Sequence, residues 1–125
     1  MTVKILIADD EAYVRLLIEQ TLEDFEDDGV EILTADNGAQ ALQTIQEEKP
    51  VLVFLDVMMP MMDGFTVCNA VKHELQMEDV YIVLLTAKGQ EFDRLRGEQA
   101  GANLYMTKPF DPDELVDLAQ KVLEQ

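Results

Sequence analysis

The sequence predicts an α/β domain with five parallel strands in the order 2-1-3-4-5, doubly wound, with five helices spread over both faces. Three observations predict it. Short apolar runs alternate five times with segments of helical periodicity along the 125 residues. Three of those runs are continuously apolar, as strands buried on both faces of a parallel sheet must be. Strict strand–helix alternation also requires right-handed crossovers, which place helices on both sides of the sheet.

The first strand, Val3 to Ala8, runs straight into Asp9, Asp10 and Glu11. Val14, Leu17, Ile18, Leu22 and Phe25 then recur at helical spacing, and Gly29 ends that helix. A more polar strand, Glu31 to Asp36, precedes a helix from about Gly38 to Glu48 with Ala41, Leu42 and Ile45 on one face. The third strand, Val51 to Asp56, sits between Pro50 and Pro60 and ends on a carboxylate. Asp63 caps the next helix, which carries Phe65, Val67, Cys68, Val71 and Leu75. Val80 to Thr86 is the fourth strand. Phe92, Leu95 and Ala100 mark a short fourth helix closed by Gly101, and Asn103 to Lys108 is a brief fifth strand. Asp111, Pro112 and Glu114 open the last helix as cap, first-turn proline and capping-box acid. Leu115, Leu118, Ala119 and Val122 form its buried stripe.

The continuously apolar strands beginning at Val3, Val51 and Val80 belong in the centre, and the more polar ones at the edges. The order 2-1-3-4-5 satisfies that sorting and sets the ends of strands one and three side by side, where open α/β sheets bind ligands.

Bulk composition limits the function. The length suits one domain over residues 1–125. With 26 acidic and 9 basic residues the net charge is −17, which repels nucleic acid and anionic lipid and attracts cations. A single cysteine, Cys68, forms no internal disulfide, and neither a signal peptide nor a bilayer-length apolar stretch is present. A cytoplasmic protein without membrane insertion is expected.

Taken singly, the polar strand ends have ordinary readings. Asp9 and Asp10 would cap a helix, Thr86 is a β-branched strand residue, and Lys108-Pro109 is a turn. Together they place three carboxylates, a hydroxyl and an ammonium at one sheet edge. Carboxylates this close repel by about 4 kcal/mol per pair at an effective dielectric near 20, so a cation is wanted between them. Oxygen ligands without nearby His or Cys point to Mg²⁺. With a cation and Lys108 neutralising a phosphoryl group, and Thr86 donating a hydrogen bond to it, Asp56 can act as the nucleophile.

These residues make the chain resemble the receiver domain of two-component response regulators, from Lys4 to about Leu123. The resemblance implies a flavodoxin-like fold, whose 2-1-3-4-5 order is known from flavodoxin and a chemotaxis regulator. It implies phosphorylation of Asp56 by a sensor histidine kinase or a histidine phosphotransfer protein. Mg²⁺ would be held by Asp10, Asp56 and the Met58 backbone carbonyl, with Asp9 acting mostly through water. Thr86 and Tyr105 would be the switch pair, Lys108 the catalytic lysine, and Pro109 a cis-proline. The small Ala87 would leave room for the phosphoryl group. Pro60 and Gly64 match the loop after the phosphorylation site.

The switched surface would comprise the fourth helix, fifth strand and last helix, and it includes the basic residues Arg94, Arg96 and Lys121. Expected partners are the phosphodonor and a downstream protein, without direct nucleic-acid contact, the domain itself being a monomer or weak dimer. The chain is read either as a stand-alone regulator or as the receiver of a longer one with a DNA-binding or enzymatic output domain.

Met58 cannot orient an attacking water, so loss of phosphate should be slow, with Lys88 offsetting this only in part. The group Met58, Met59, Met61 and Met62 is either loop packing or an adaptable docking surface. His73 and Cys68 receive no role. A flavin carrier would need a phosphate-binding loop where Asp9, Asp10 and Glu11 stand. A haloacid-dehalogenase-like phosphatase would need a second Asp where Met58 stands. Enzymatic activity beyond the domain's own phosphorylation and slow dephosphorylation is not expected.

Overall fold

The computed structural model describes residues 2–87, 94–108 and 110–124. Strands β1 (Lys4–Ala8), β2 (Glu31–Ala35), β3 (Leu52–Asp56), β4 (Tyr81–Ala87) and β5 (Leu104–Lys108) form one parallel sheet in the order β2-β1-β3-β4-β5. The two more polar strands lie at its edges, as their sequences require.

Side chains sort by strand parity. Leu6, Ala8, Val53, Leu55, Ile82 and Leu84 point to one face, where helices α3 (Gly38–Glu48), α4 (Gly64–Asn69) and α5 (Arg94–Ala100) bury Ala41, Ile45, Phe65, Val67, Val71 and Ala100. Ile5, Ile7, Leu52, Phe54, Val83 and Leu85 point to the other. There α1 (Ala12–Thr21) and α6 (Pro112–Leu123) supply Ile18, Leu115, Ala119 and Val122. The continuously apolar middles of the central strands are the consequence of this two-sided burial, polar residues standing only toward their ends.

Among the described residues, six α-helices stand where five were expected. The first helical stretch breaks at Leu22, after which α2 (Glu23–Asp27) forms a separate turn. The Thr21 hydroxyl donates back to the Leu17 carbonyl at 2.7 Å, a bond that bends helices. Beyond the break, Glu23, Asp24, Glu26 and Asp27 crowd negative charge into a segment where a longer helix would carry its negative pole.

A second difference follows α4, which continues as a π-helical turn over Ala70–Glu74. That turn directs Lys72 Nζ to the Val80 carbonyl and sets His73 Nε2 3.0 Å from the Gln99 carbonyl oxygen. The strand expected from Asn103 begins one residue later. The Asn103 side-chain oxygen accepts the Ile82 N–H at 2.9 Å in place of a backbone partner.

Helix starts follow the expected capping chemistry. Asn37 accepts the Gln40 N–H, Asp63 the Thr66 N–H, and Asp111 the Asp113 N–H, with Pro112 in the first turn of α6. No helix among the described residues is long and apolar enough to cross a membrane.

The loop after β3 is seated on the start of α3. The Pro60 carbonyl accepts N–H bonds from both Gly38 (3.2 Å) and Met62 (2.8 Å), while Met61 takes a positive φ of 72°. A Cβ on Gly38 would stand 1.7 Å from the Met62 carbonyl oxygen. Gly→Ala inside a helix ordinarily stabilises by roughly 0.5–1 kcal/mol. At this position the clash reverses the sign: Gly38→Ala is expected to destabilise by about 1–3 kcal/mol, read from urea unfolding. A stabilised variant would mean that the loop is not seated there.

Candidate functional site

The carboxyl ends of the strands carry the polar residues. Asp9 leaves β1 fully buried, Asp10 follows it exposed, and Asp56 closes β3 with its carboxyl nearly covered. One oxygen from each of these three carboxylates lies within 4.8 Å of the others. The parallel register makes this convergence unavoidable: Ala8 pairs with Leu55, so the residues after them emerge together.

Lys108 reaches into this group from the end of β5. Its Nζ lies 2.8 Å from Asp9 Oδ2 and 3.6 Å from Asp56 Oδ1, with Glu11 at 4.0 Å. Asp9 is the nearer partner, and its other oxygen accepts the Glu11 N–H at 2.9 Å. Both Asp9 oxygens are therefore engaged by protein, whereas Asp10 faces solvent. Asp56 Oδ1 also accepts the Met58 N–H at 3.3 Å.

The electrostatics follow from this crowding. Burial, then the negative charge of Asp9, pushes the Asp56 carboxyl up to about 7; Lys108 and the Met58 N–H oppose the shift, and Asp10 adds to it. Burial disfavours the charge on Lys108. The bond to Asp9 and the charges of Asp56, Asp9 and Glu11 outweigh it and raise its pKa. Among the described residues, the one ammonium at the site lies nearer Asp9 than Asp56. The oxygen-only donor set fits a hard divalent cation such as Mg²⁺.

Thr86 is buried at the end of β4, one residue beyond Leu85, the register partner of Asp56. Tyr105 is half-buried in β5 opposite Leu84, and Ala87 is exposed. A Cβ on Gly64 would lie 2.4 Å from the Asp56 carbonyl oxygen, so only glycine lets α4 start this close to Asp56.

Other expected residues fare differently. Met58 and Met61 are exposed, whereas Met59 is buried and Met62 packs against the core, so the methionine group divides between surface and packing. Arg96, one of the expected basic surface residues, is exposed and also stacks on an aromatic ring. Its guanidinium carbon lies 4.3 Å from the Phe65 ring centroid, turned toward α4, while Lys121 is exposed on α6. Pro109, Lys88, Phe92 and the Arg94 side chain lie outside the described residues. Sequence reasoning missed Arg15, whose Nη1 donates to the Asp9 carbonyl at 2.7 Å and braces the β1–α1 turn. Its place one turn after Glu11 was the available signal.

The profile of the response regulator receiver domain matches residues 5–120. The chain belongs to that receiver domain family. It is 44% identical over 122 residues to the "probable transcriptional regulator ycf27" of Pyropia yezoensis, covering 98% of this chain and 48% of that protein. It is 40% identical to the alkaline phosphatase synthesis transcriptional regulatory protein PhoP of Bacillus subtilis, covering 100% of this chain and 50% of that one. The receiver spans about half the length of these curated relatives. The chemotaxis response regulator CheY4 of Vibrio cholerae superposes with a TM-score of 0.82 at 32% identity, covering 98% of this chain and 99% of that one.

The folded receiver holds the Asp56 proton up to about pH 7, against 3.8 for an ordinary aspartate. This group therefore favours folding most below pH 3.8, and the contribution is lost as pH rises through 7. Asp56→Asn is accordingly expected to raise Tm by roughly 5 °C near pH 8 and much less near pH 4.5, by scanning fluorimetry. Mg²⁺ should raise the wild-type Tm at the higher pH and have little effect on the variant. Equal Tm shifts at both pH values would contradict the assigned charge state.

Proposed function

We propose that this receiver accepts a phosphoryl group on Asp56 from a phosphohistidine of a sensor histidine kinase or histidine phosphotransfer protein. The observation that carries the reading is the Asp56 carboxyl, buried between two acidic neighbours and one lysine. Such a group is costly to keep unless its reaction partner brings compensating charge.

In the proposed reaction an Asp56 oxygen attacks phosphorus in line, the P–N bond breaks, and the imidazole departs with the electron pair. Asp10, Asp56 and the Met58 carbonyl would hold Mg²⁺, with Asp9 engaged by Lys108 and acting through water. Bound there, the cation would neutralise phosphoryl oxygens. Lys108, already within reach of both Asp9 and Asp56, would neutralise a further phosphoryl oxygen. The Thr86 hydroxyl would donate to another, and Tyr105 would turn inward behind it. The surface of α5, β5 and α6 would then shift between two populations.

The domain's chemistry would be confined to its own phosphorylation and slow dephosphorylation. The position that holds an acid/base Asp in aspartyl phosphatases is Met58 here. The strongly acidic surface argues against direct nucleic-acid contact by the domain, and a monomer or weak dimer in the cytoplasm is the working form. A second reading concerns the whole protein. Because the relatives are transcriptional regulators of about twice this length, a receiver governing a DNA-binding domain is favoured over one governing an enzyme.

Acetyl phosphate with Mg²⁺ is expected to add one phosphoryl group by intact mass, and Asp56→Asn to add none. An unchanged adduct on Asp56→Asn would refute the assignment. Lys108→Ala should slow labelling by about tenfold or more, the scale of losing one charge-stabilising group. Met58→Asn should shorten the lifetime of the phosphorylated form, followed by mass after the donor is removed. No acceleration would show that Met58 does not limit water attack.

A further inference from the structure

Arg96 stands near the start of the described part of α5, its guanidinium over the Phe65 ring. Among the described residues it makes no ion pair. That is notable in a chain where acids outnumber bases 26 to 9. Its charge is committed to an aromatic face.

Phe65 ties that face to the phosphorylation loop. It follows Gly64, whose N–H donates to the Val57 carbonyl at 2.9 Å, closing the loop at its base. On the other side Gly64 is pressed against the Asp56 carbonyl, with no room for even a methyl group. Displacement of the chain at Asp56 therefore passes to Gly64 and the adjoining ring without slack. The next residue of α5 meets a different neighbour. A Cβ on Gly97 would lie 3.1 Å from both the Tyr105 ring and a Leu84 methyl. Consecutive residues of α5 thus meet the first turn of α4, where the loop after β3 ends, and the β5 aromatic.

We propose that the Arg96–Phe65 stack is a second coupling between Asp56 and α5, separate from Thr86 and Tyr105, and that it holds α5 in place until phosphorylation. The proposal rests on phosphorylation of Asp56 as read above. A phosphoryl group adds bulk, negative charge and three acceptor oxygens beside a loop closed at its base. The loop yields at Gly64, the ring moves relative to α5, and the stack weakens. A contact equally strong in both states would couple nothing, so the weakening is the essential element. The expected shift in the equilibrium is about two- to fivefold, the scale of an exposed cation–π contact.

Acetyl phosphate labelling of the wild type comes first: absence of an adduct would overturn the reading of Asp56, and the proposal with it. Given the adduct, heteronuclear NMR follows the amides of residues 95–100 as beryllofluoride, a phosphoryl mimic, is titrated with Mg²⁺. Arg96→Met is expected to move these amides toward their beryllofluoride-bound positions before any mimic is added, and to tighten its apparent affinity about two- to fivefold. Phe65→Leu should do the same, the double variant should add nothing further, and Arg96→Lys should stay near wild type. Arg96 is exposed, so its variants test the idea even if Phe65→Leu folds poorly. Wild-type α5 amide positions and affinity in Arg96→Met, or additive effects in the double variant, would overturn the coupling.

Discussion

Negative charge confined at one sheet edge is the constraint on which the rest of this receiver depends. Asp9, Asp10 and Asp56 converge because parallel strands end in register, and among the described residues one ammonium, Lys108, answers them from the protein side. Asp9 takes the closer share of that ammonium. Asp56 is left with a weak N–H bond from Met58 and with burial that disfavours its charge. A buried acid so placed lowers stability, and a fold retains it where function supplies the missing positive charge.

The architecture brings polar groups from distant segments together without long loops. β1, β3, β4 and β5 each deliver one end to the same edge, and the apolar layers on both faces hold those ends in register. Arg15 fixes the first turn through the Asp9 carbonyl, while the Pro60 carbonyl ties the loop after β3 to Gly38. The reactive edge is thus braced from α1 and from α3. On the α5 side, contact runs through side chains: Phe65 against Arg96, and Tyr105 against Gly97. Side-chain contacts of this kind have alternative arrangements available, whereas the paired strands do not.

Much of this was legible in the chain. Continuous apolar runs at Val51 and Val80 mark central strands and polar Glu31 and Asn103 mark edges, a sorting that the order 2-1-3-4-5 satisfies and the receiver resemblance completes. The residues of the site could be named because each stands at the end of its strand, where periodicity breaks. Less legible was the division of the first helical stretch at Leu22. There apolar spacing continues to Phe25, while the Thr21 hydroxyl and a run of acids interrupt the helix. Nor does the stretch from Ala70 to Glu74 announce a π turn, since the partners of Lys72 and His73 come from distant elements.

By itself, then, the sequence determined which strands are central, the edge at which the acids gather and the residue types found there. These follow from hydrophobic period and from where it stops, both of which are local. Only the tertiary structure decided that Lys108 favours Asp9 over Asp56, that Met58 and Met61 face solvent while Met59 does not, and that the exposed Arg96 stacks on Phe65. Each of these is a choice between partners far apart in the chain. It is settled by fractions of an ångström in packing, which one-dimensional spacing does not carry.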